Sequence, residues 1–329
     1  MVLLSDRDFM ISKLIKFIIG VLLLLVLCVV CVFVLIKRPS FVFSVEDESQ
    51  KYVNVESLEL VTKELSQNFL PRNYYNSDNL DLAAHYIKAK LSEFNSDTYL
   101  QTYDVKDKSY SNVIANYGPD TDDIVIVGAH YDAFSTLPGA DDNASGVAGL
   151  LELGRLLSKV ELTKRIILVA YTLEESWDIE SMGSVRHAKS LGDKNVELMI
   201  SLEMIGYFSE EEKSQSFPLP FLKYLYPEKG NYIVVVGEVT SNKATGVKNA
   251  INKYTDLEAF SINAPRSIKG IDLSDHRSYW DLDYPAVMVT DSSFYRNKNY
   301  HRTMDTYEKL NYESMSRVVY GVYKHVIDI

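Results

Sequence analysis

Five short runs of aliphatic and β-branched residues punctuate the chain: IVIVGA (124–129), RIILVAYT (165–172), ELMISLEM (197–204), YIVVVG (232–237) and AVMVTD (286–291). Successive side chains of a strand point to opposite faces, so an unbroken apolar run suits a strand buried on both sides. Between the first two runs lies SGVAGLLELGRLLSKV, whose Val147, Leu150, Leu151 and Leu157 recur at helical spacing. Residues 79–94 and 312–326 are amphipathic helix candidates of the same kind. Strand and helix in alternation predict an α/β fold, a mixed but largely parallel central sheet flanked by helices on both faces. Ligands of such sheets bind beyond the carboxyl ends of the strands, which directs attention to the polar residues there.

One segment lies outside this pattern. Between Lys16 and Lys37 stand twenty uncharged residues, FIIGVLLLLVLCVVCVFVLI, long enough as a helix to cross a hydrocarbon core of ~30 Å. A signal peptide has a shorter apolar core and a small-x-small cleavage site; here the run continues into FVLIKR, and Cys28 lacks the small neighbour of a lipoprotein site. The expectation is an uncleaved transmembrane anchor at 17–36, after a short tail at 1–16 and before a linker at 37–50, with one large domain over 51–329. Arg7, Lys13 and Lys16 on one side match Lys37, Arg38 and Lys51 on the other, so charge sets no orientation. A short tail stays most simply in the cytoplasm, which puts the large domain in the periplasm or outside the cell.

Both cysteines, Cys28 and Cys31, fall inside that run. A disulfide scaffold, Cys-ligated zinc and a Cys nucleophile are thereby excluded from the domain. The net charge of −11 is uneven: residues 1–38 hold five basic and two acidic side chains, the remainder 29 basic and 43 acidic. Nucleic acid as a main partner is excluded by that acidity, since phosphate binding needs clustered Lys and Arg.

The domain's polar residues gather where the strands end. His130 and Asp132 follow the first run, and a carboxylate beside a metal-bound imidazole can fix its tautomer. Gly139 to Gly146 (GADDNASG) precedes a helix; capping accounts for one such polar residue but not for three in a row among small ones. Glu174 and Glu175 end the second strand, where one can ligate a metal while the other faces substrate. Glu203 lies in apolar sequence, where a cation is its economical partner. Tyr300, His301 and Asp305 follow the fifth strand. Oxygen and nitrogen ligands without sulfur suit catalytic zinc, and five are too many for one tetrahedral ion, whereas two ions sharing a carboxylate fit the count. His85, His187 and His325 fall on helix candidates and read as surface or packing residues.

HYD, PGADDNASG, TLEE, SLEMIGY, SDH and NYH, in this order, resemble the di-zinc aminopeptidase family that includes bacterial leucyl-type aminopeptidases, glutamate carboxypeptidases and glutaminyl cyclases. The resemblance covers residues 50–329 and implies a zinc-exopeptidase-like fold holding two Zn²⁺. It makes His130 and Glu203 ligands of one ion, Glu175 and His301 ligands of the other, and Asp142 the bridge. It puts Glu174 at the general base, Asp132 behind His130, Tyr300 at the substrate carbonyl, and a cis peptide bond after Asp142. Many relatives carry Asp where this chain has Glu203. The activity implied is hydrolysis of the N-terminal bond of a peptide with a free amino terminus. Two rivals share the family: a single-zinc glutaminyl cyclase, and a non-catalytic scaffold. Residues 207–231 and the loop 292–299 with Tyr295 are candidate pocket walls, and Asp275 and His276 candidate pocket residues.

Overall fold

Two-sided burial is what the apolar runs achieve. The computed structural model describes residues 6–329 apart from Trp177. Its strands are β1 (Thr98–Val105), β2 (Lys108–Tyr117), β3 (Asp123–His130), β4 (Arg165–Tyr171), β5 (Asn195–Glu203), β6 (Ile233–Gly237), β7 (Ala259–Asn263) and β8 (Ala286–Thr290). They form one sheet in the order β1-β2-β4-β3-β5-β8-β6-β7. The helices are α1 (Asp6–Lys37), α2 (Ser49–Tyr52), α3 (Val55–Gln67), α4 (Ser77–Ser92), α5 (Gly146–Leu157), α6 (Gly183–Ser190), α7 (Lys243–Tyr254), α8 (His276–Trp280) and α9 (Tyr312–Asp328).

The four central strands, β4, β3, β5 and β8, are mutually parallel. Along β3, Val125 and Val127 enter a core shared with α3, α4, α5, α7 and α9, while Ile124 and Ile126 enter a second core that includes Tyr279 and Trp280 of α8. Helices on both faces therefore account for the missing alternation in the sequence. The sheet is mixed at its flanks: β2 is antiparallel to β4, and β6 is antiparallel to β8.

Three strands and several helices lack an apolar run and were not anticipated. β1 is an edge strand with alternating half-exposed positions, and β7 is a five-residue strand at the other edge. The helices expected over 79–94 and 312–326 are α4 and α9, shifted by two residues or fewer at either end.

Helix α1 stands off the domain and touches it only at its last turn. There Asn263 Nδ2 donates to the Ile36 carbonyl at 3.1 Å, Ser261 Oγ to that of Lys37 at 2.9 Å, and Lys37 Nζ to that of Leu225 at 2.7 Å. The stretch expected as a linker is laid along the domain. Ser40 Oγ bonds Asn249 Oδ1 at 2.5 Å, the Val45 amide bonds the Lys253 carbonyl at 2.8 Å, and Asp47 pairs with Arg317 at 3.0 Å.

Candidate active site

The carboxyl ends of the parallel strands converge on one buried acidic cluster. β3 delivers His130 as its last residue and β5 delivers Glu203 as its last. Two residues beyond β4, Leu173 with φ 63° turns the chain so that Glu174 and Glu175 follow. Asp142 comes from the turn before α5, where it and Asn143 leave helical geometry and the peptide bond between them is cis. His301 arrives on the loop after β8, with φ 53°.

Asp142 stands in the middle. Its Oδ1 is 3.5 Å from His130 Nε2, and its Oδ2 is 3.1 Å from His301 Nε2. Glu203 Oε2 lies 3.3 Å from His130 Nε2, and Glu175 Oε1 lies 2.8 Å from His301 Nε2. Two groups result, His130–Asp142–Glu203 and Asp142–Glu175–His301, each with its donor atoms within 4.8 Å of one another. Glu174 Oε2 approaches His130 Nε2 to 3.9 Å and borders the adjoining cavity.

The supports are as specific as the cluster. Asp132 lies behind His130, its Oδ1 3.4 Å from Nδ1, and accepts the backbone N–H groups of Glu174 and Glu175 at 3.1 and 2.9 Å. Asp305 accepts those of Asp141 and Asp142 at 3.1 and 3.2 Å. Asn143 ties its turn to the end of β5, donating to the Leu202 carbonyl at 2.8 Å and accepting the Met204 amide at 3.0 Å. Gly146, at the start of α5, lies so close to Asn143 and the Leu202 carbonyl that a side chain there would overlap them. Ser274 Oγ donates to Glu203 Oε2 at 2.8 Å. The His301 ring is stacked between Phe134 and Tyr300, with centroids 4.0 and 3.8 Å away.

Such a cluster strains its own protonation equilibria. Burial pushes the Glu174 carboxyl well above its usual range and Glu175 up to about 8. Burial alone would lower His130, but Glu203, Glu174, Asp132 and Asp142 outweigh it and hold the ring's proton affinity high. His130 Nε2 is nevertheless buried without a hydrogen-bond partner. An orphaned imidazole nitrogen facing several carboxylates is the donor set of a cation site, and nitrogen with oxygen donors suits zinc. The residues fit the metal.

Beside the cluster a cavity of about 280 Å³ is bordered by Glu174, Tyr300 and an apolar wall that includes Phe217, Leu219, Phe221 and Ile271. Both candidate wall segments take part, the first through residues 215–222 and the second through Ser292 to Tyr295. Of the three candidate pocket residues only Tyr295 borders the cavity. Asp275 is fully buried behind it, with its carboxyl raised to about 7 by burial. His276 is turned away from it: Nε2 lies 2.8 Å from the Ile271 carbonyl oxygen and the ring packs edge-on against Trp280, because α8 directs it into the second core. His187 and His325 are packing residues with burial-lowered pKa values, and His85 is exposed.

Sequence reasoning missed Arg72, fully buried and donating at 2.9 Å to the carbonyls of Leu65 and Tyr131 and also to those of Pro138 and Gly139. It braces both the segment after His130 and the turn before Asp142, and no motif surrounds it. Ser274 had a signal in the SDH string, where only the acid and the imidazole drew attention.

The model of peptidase family M28 matches residues 112–326. The uncharacterized protein YfbL of Escherichia coli (strain K12) is 44% identical, over 83% of this chain and 87% of its own length. The probable aminopeptidase YDR415C of Saccharomyces cerevisiae is 29% identical over 76% and 67% of the two chains. Among solved structures, the LapA aminopeptidase of Legionella pneumophila superposes with a TM-score of 0.69 at 18% identity, covering 88% of this chain and 77% of its own. A glutaminyl cyclase of Bacteroides thetaiotaomicron does so at 0.63 and 18%, covering 84% and 98%. The fold is thus common to both activities, and the family match with the close relative carries the assignment: the chain belongs to peptidase family M28, the zinc-dependent metallopeptidases.

Proposed function

We propose that the chain is a membrane-anchored aminopeptidase that removes apolar N-terminal residues with two zinc ions, His130, Asp142 and Glu203 holding one and Asp142, Glu175 and His301 the other. The observation that carries this reading is the division of Asp142, with one oxygen toward each histidine. A single-zinc site has no need of that second group. Zinc bound there supplies a Lewis acid and lowers the pKa of a water toward ~7.

The chain's own groups do the rest. Glu174 is within reach of the site and its burial-raised carboxyl can take a proton from the attacking water and pass it to the departing amine. Tyr300 is held by its stack on His301, and burial keeps its hydroxyl protonated, so it donates to the carbonyl oxygen as negative charge develops there. The carboxylates around the site favour a free α-ammonium group, and the Phe217–Leu222 wall favours an apolar side chain. Helix α1, with its apolar stretch Phe9–Lys37, supports the anchor reading.

The test is zinc analysis of purified protein, with turnover of a Leu-initiated chromogenic substrate and a Gln-initiated peptide, before and after chelation. Two zinc ions per chain and chelator-sensitive amine release from the Leu substrate are expected. Pyroglutamate formation without amine release would overturn the reading in favour of a cyclase, and a metal-free protein in favour of a scaffold.

A further inference from the structure

The cavity has one wall that does not belong to the catalytic domain. Ile36, in the last turn of α1, borders the same cavity as Glu174 and Tyr300. That turn is fastened across edge strand β7 by the bonds from Ser261 and Asn263, and the Lys37 ammonium sits over the rings of Tyr226 and Phe260, 5.4 and 4.9 Å from their centroids. The end of a membrane-length helix and the mouth of the cavity are therefore one place.

Around it the surface is rich in exposed aromatic side chains, with a few lysine and arginine residues among them. Phe41 and Phe43 are 102% and 94% exposed although the stretch carrying them is tied down at Ser40 and Val45; Val42 between them turns inward, so the two rings are presented outward by the backbone. Tyr224 is 79% exposed and Phe221 43% exposed, and Phe221 also borders the cavity. Phe41 is four residues beyond Lys37, within about 14 Å of it along the chain. Lys37, Arg38 and Lys223 lie at the same end of the helix, with Glu258 close to Lys37, whereas Lys248 is buried beneath them and its Nζ donates to the Arg38 carbonyl at 2.7 Å. Exposed rings with interspersed lysine and arginine at the end of an apolar helix match the headgroup layer of an anionic bilayer.

We infer that the domain lies with its β7 edge on the lipid surface and its cavity opening at the headgroup layer, so that it takes apolar peptide N-termini presented at the membrane. The occupant of the aromatic face is the bilayer itself. The inference rests on the anchor and aminopeptidase readings above, and adds to them where the substrate comes from.

The experiment uses the full chain in vesicles of phosphatidylethanolamine and phosphatidylglycerol. With Cys28→Ala and Cys31→Ala as background, Tyr224→Cys or Tyr99→Cys carries an environment-sensitive fluorophore, and nitroxide-headgroup lipid is the quencher. Tyr99 is exposed on β1, the opposite edge, about 30 Å away at the usual strand spacing. Strong quenching at 224 and little at 99 is expected. Equal quenching, or none at 224, would overturn the docking and leave the face to a second protein. In the same vesicles, a Leu-initiated peptide bearing a C-terminal acyl chain should show about ten-fold higher kcat/KM than its unacylated form. Phe41→Ser with Phe43→Ser should diminish that advantage and leave turnover of the unacylated peptide unchanged. No advantage for the acylated peptide, with the unacylated one cleaved, would overturn the substrate source alone. Cleavage of neither, with 224 still quenched, would overturn the aminopeptidase reading and support the docking.

Discussion

Asp132 joins two strand ends through Glu175: its Oδ2 accepts the Glu175 backbone N–H at 2.9 Å, while its Oδ1 lies 3.4 Å from His130 Nδ1. Asp132 thus orients an imidazole on β3, whose Nδ1 also lies 3.2 Å from the Asp132 backbone carbonyl oxygen, and its carboxylate fixes the turn that aims both glutamates after β4. Asp132→Asn keeps the size but weakens the acceptor on each side. Zinc affinity and kcat should each fall about 10- to 100-fold, read by competition with a zinc indicator and by steady-state kinetics, and an unchanged zinc affinity would sink the assigned role.

Glu174 borders the cavity but belongs to neither metal group. Glu174→Gln should retain the zinc content of the parent and lose about 10²- to 10⁴-fold in kcat with little change in KM. Loss of zinc in that variant would mean that Glu174 is a ligand instead.

Tyr300→Phe leaves the ring stacked on His301 and removes only the hydroxyl. A fall of about 10²-fold in kcat is expected, with zinc content and thermal midpoint unchanged. Full activity of the variant would rule out a part for the hydroxyl in polarising the carbonyl.

The buried chain His187–Tyr279–Tyr171, with successive contacts of 2.6 Å, predicts an acid limb in stability. Burial lowers His187 to about 4, against an unfolded value of ~6.5. The unfolded chain binds the extra proton between those values, so this contribution is complete above ~6.5 and is lost as the pH falls toward 4, by roughly 3 kcal/mol. Urea midpoints of the chelated protein between pH 7.5 and 4.5 should fall less steeply for His187→Gln than for the parent. Parallel slopes would contradict the neutral buried ring.

How much of this was readable in advance depended on burial. Strands β3, β4, β5, β6 and β8 announced themselves because both faces are covered, whereas β1 carries Tyr99, Gln101 and Tyr103 in a half-exposed edge pattern with no apolar run. The reversal of β6 against β8 leaves no local trace, since an apolar strand reads alike in either direction. The candidate ligands His130, Asp142 and Glu203 each stand in a short string of the sequence, and the fold brings them together. Arg72 acts by donating to carbonyls distant in sequence, and such partners are invisible until the chain is folded. For Asp275 and His276 a polar dipeptide gives no indication that the first is buried within electrostatic reach of His130 and Glu203 while the second turns into the second core.

The two metal groups draw on residues from His130 to His301, across most of the parallel sheet. No segment short enough to form early can assemble either group alone, since each joins residues more than 30 positions apart. High sequence separation makes such contacts late events in folding, and an ion that binds only the finished arrangement adds its binding free energy to the native state alone. Zinc uptake is then a reporter of sheet completion: in a refolding experiment it should trail the recovery of secondary structure and coincide with the return of global resistance to proteolysis.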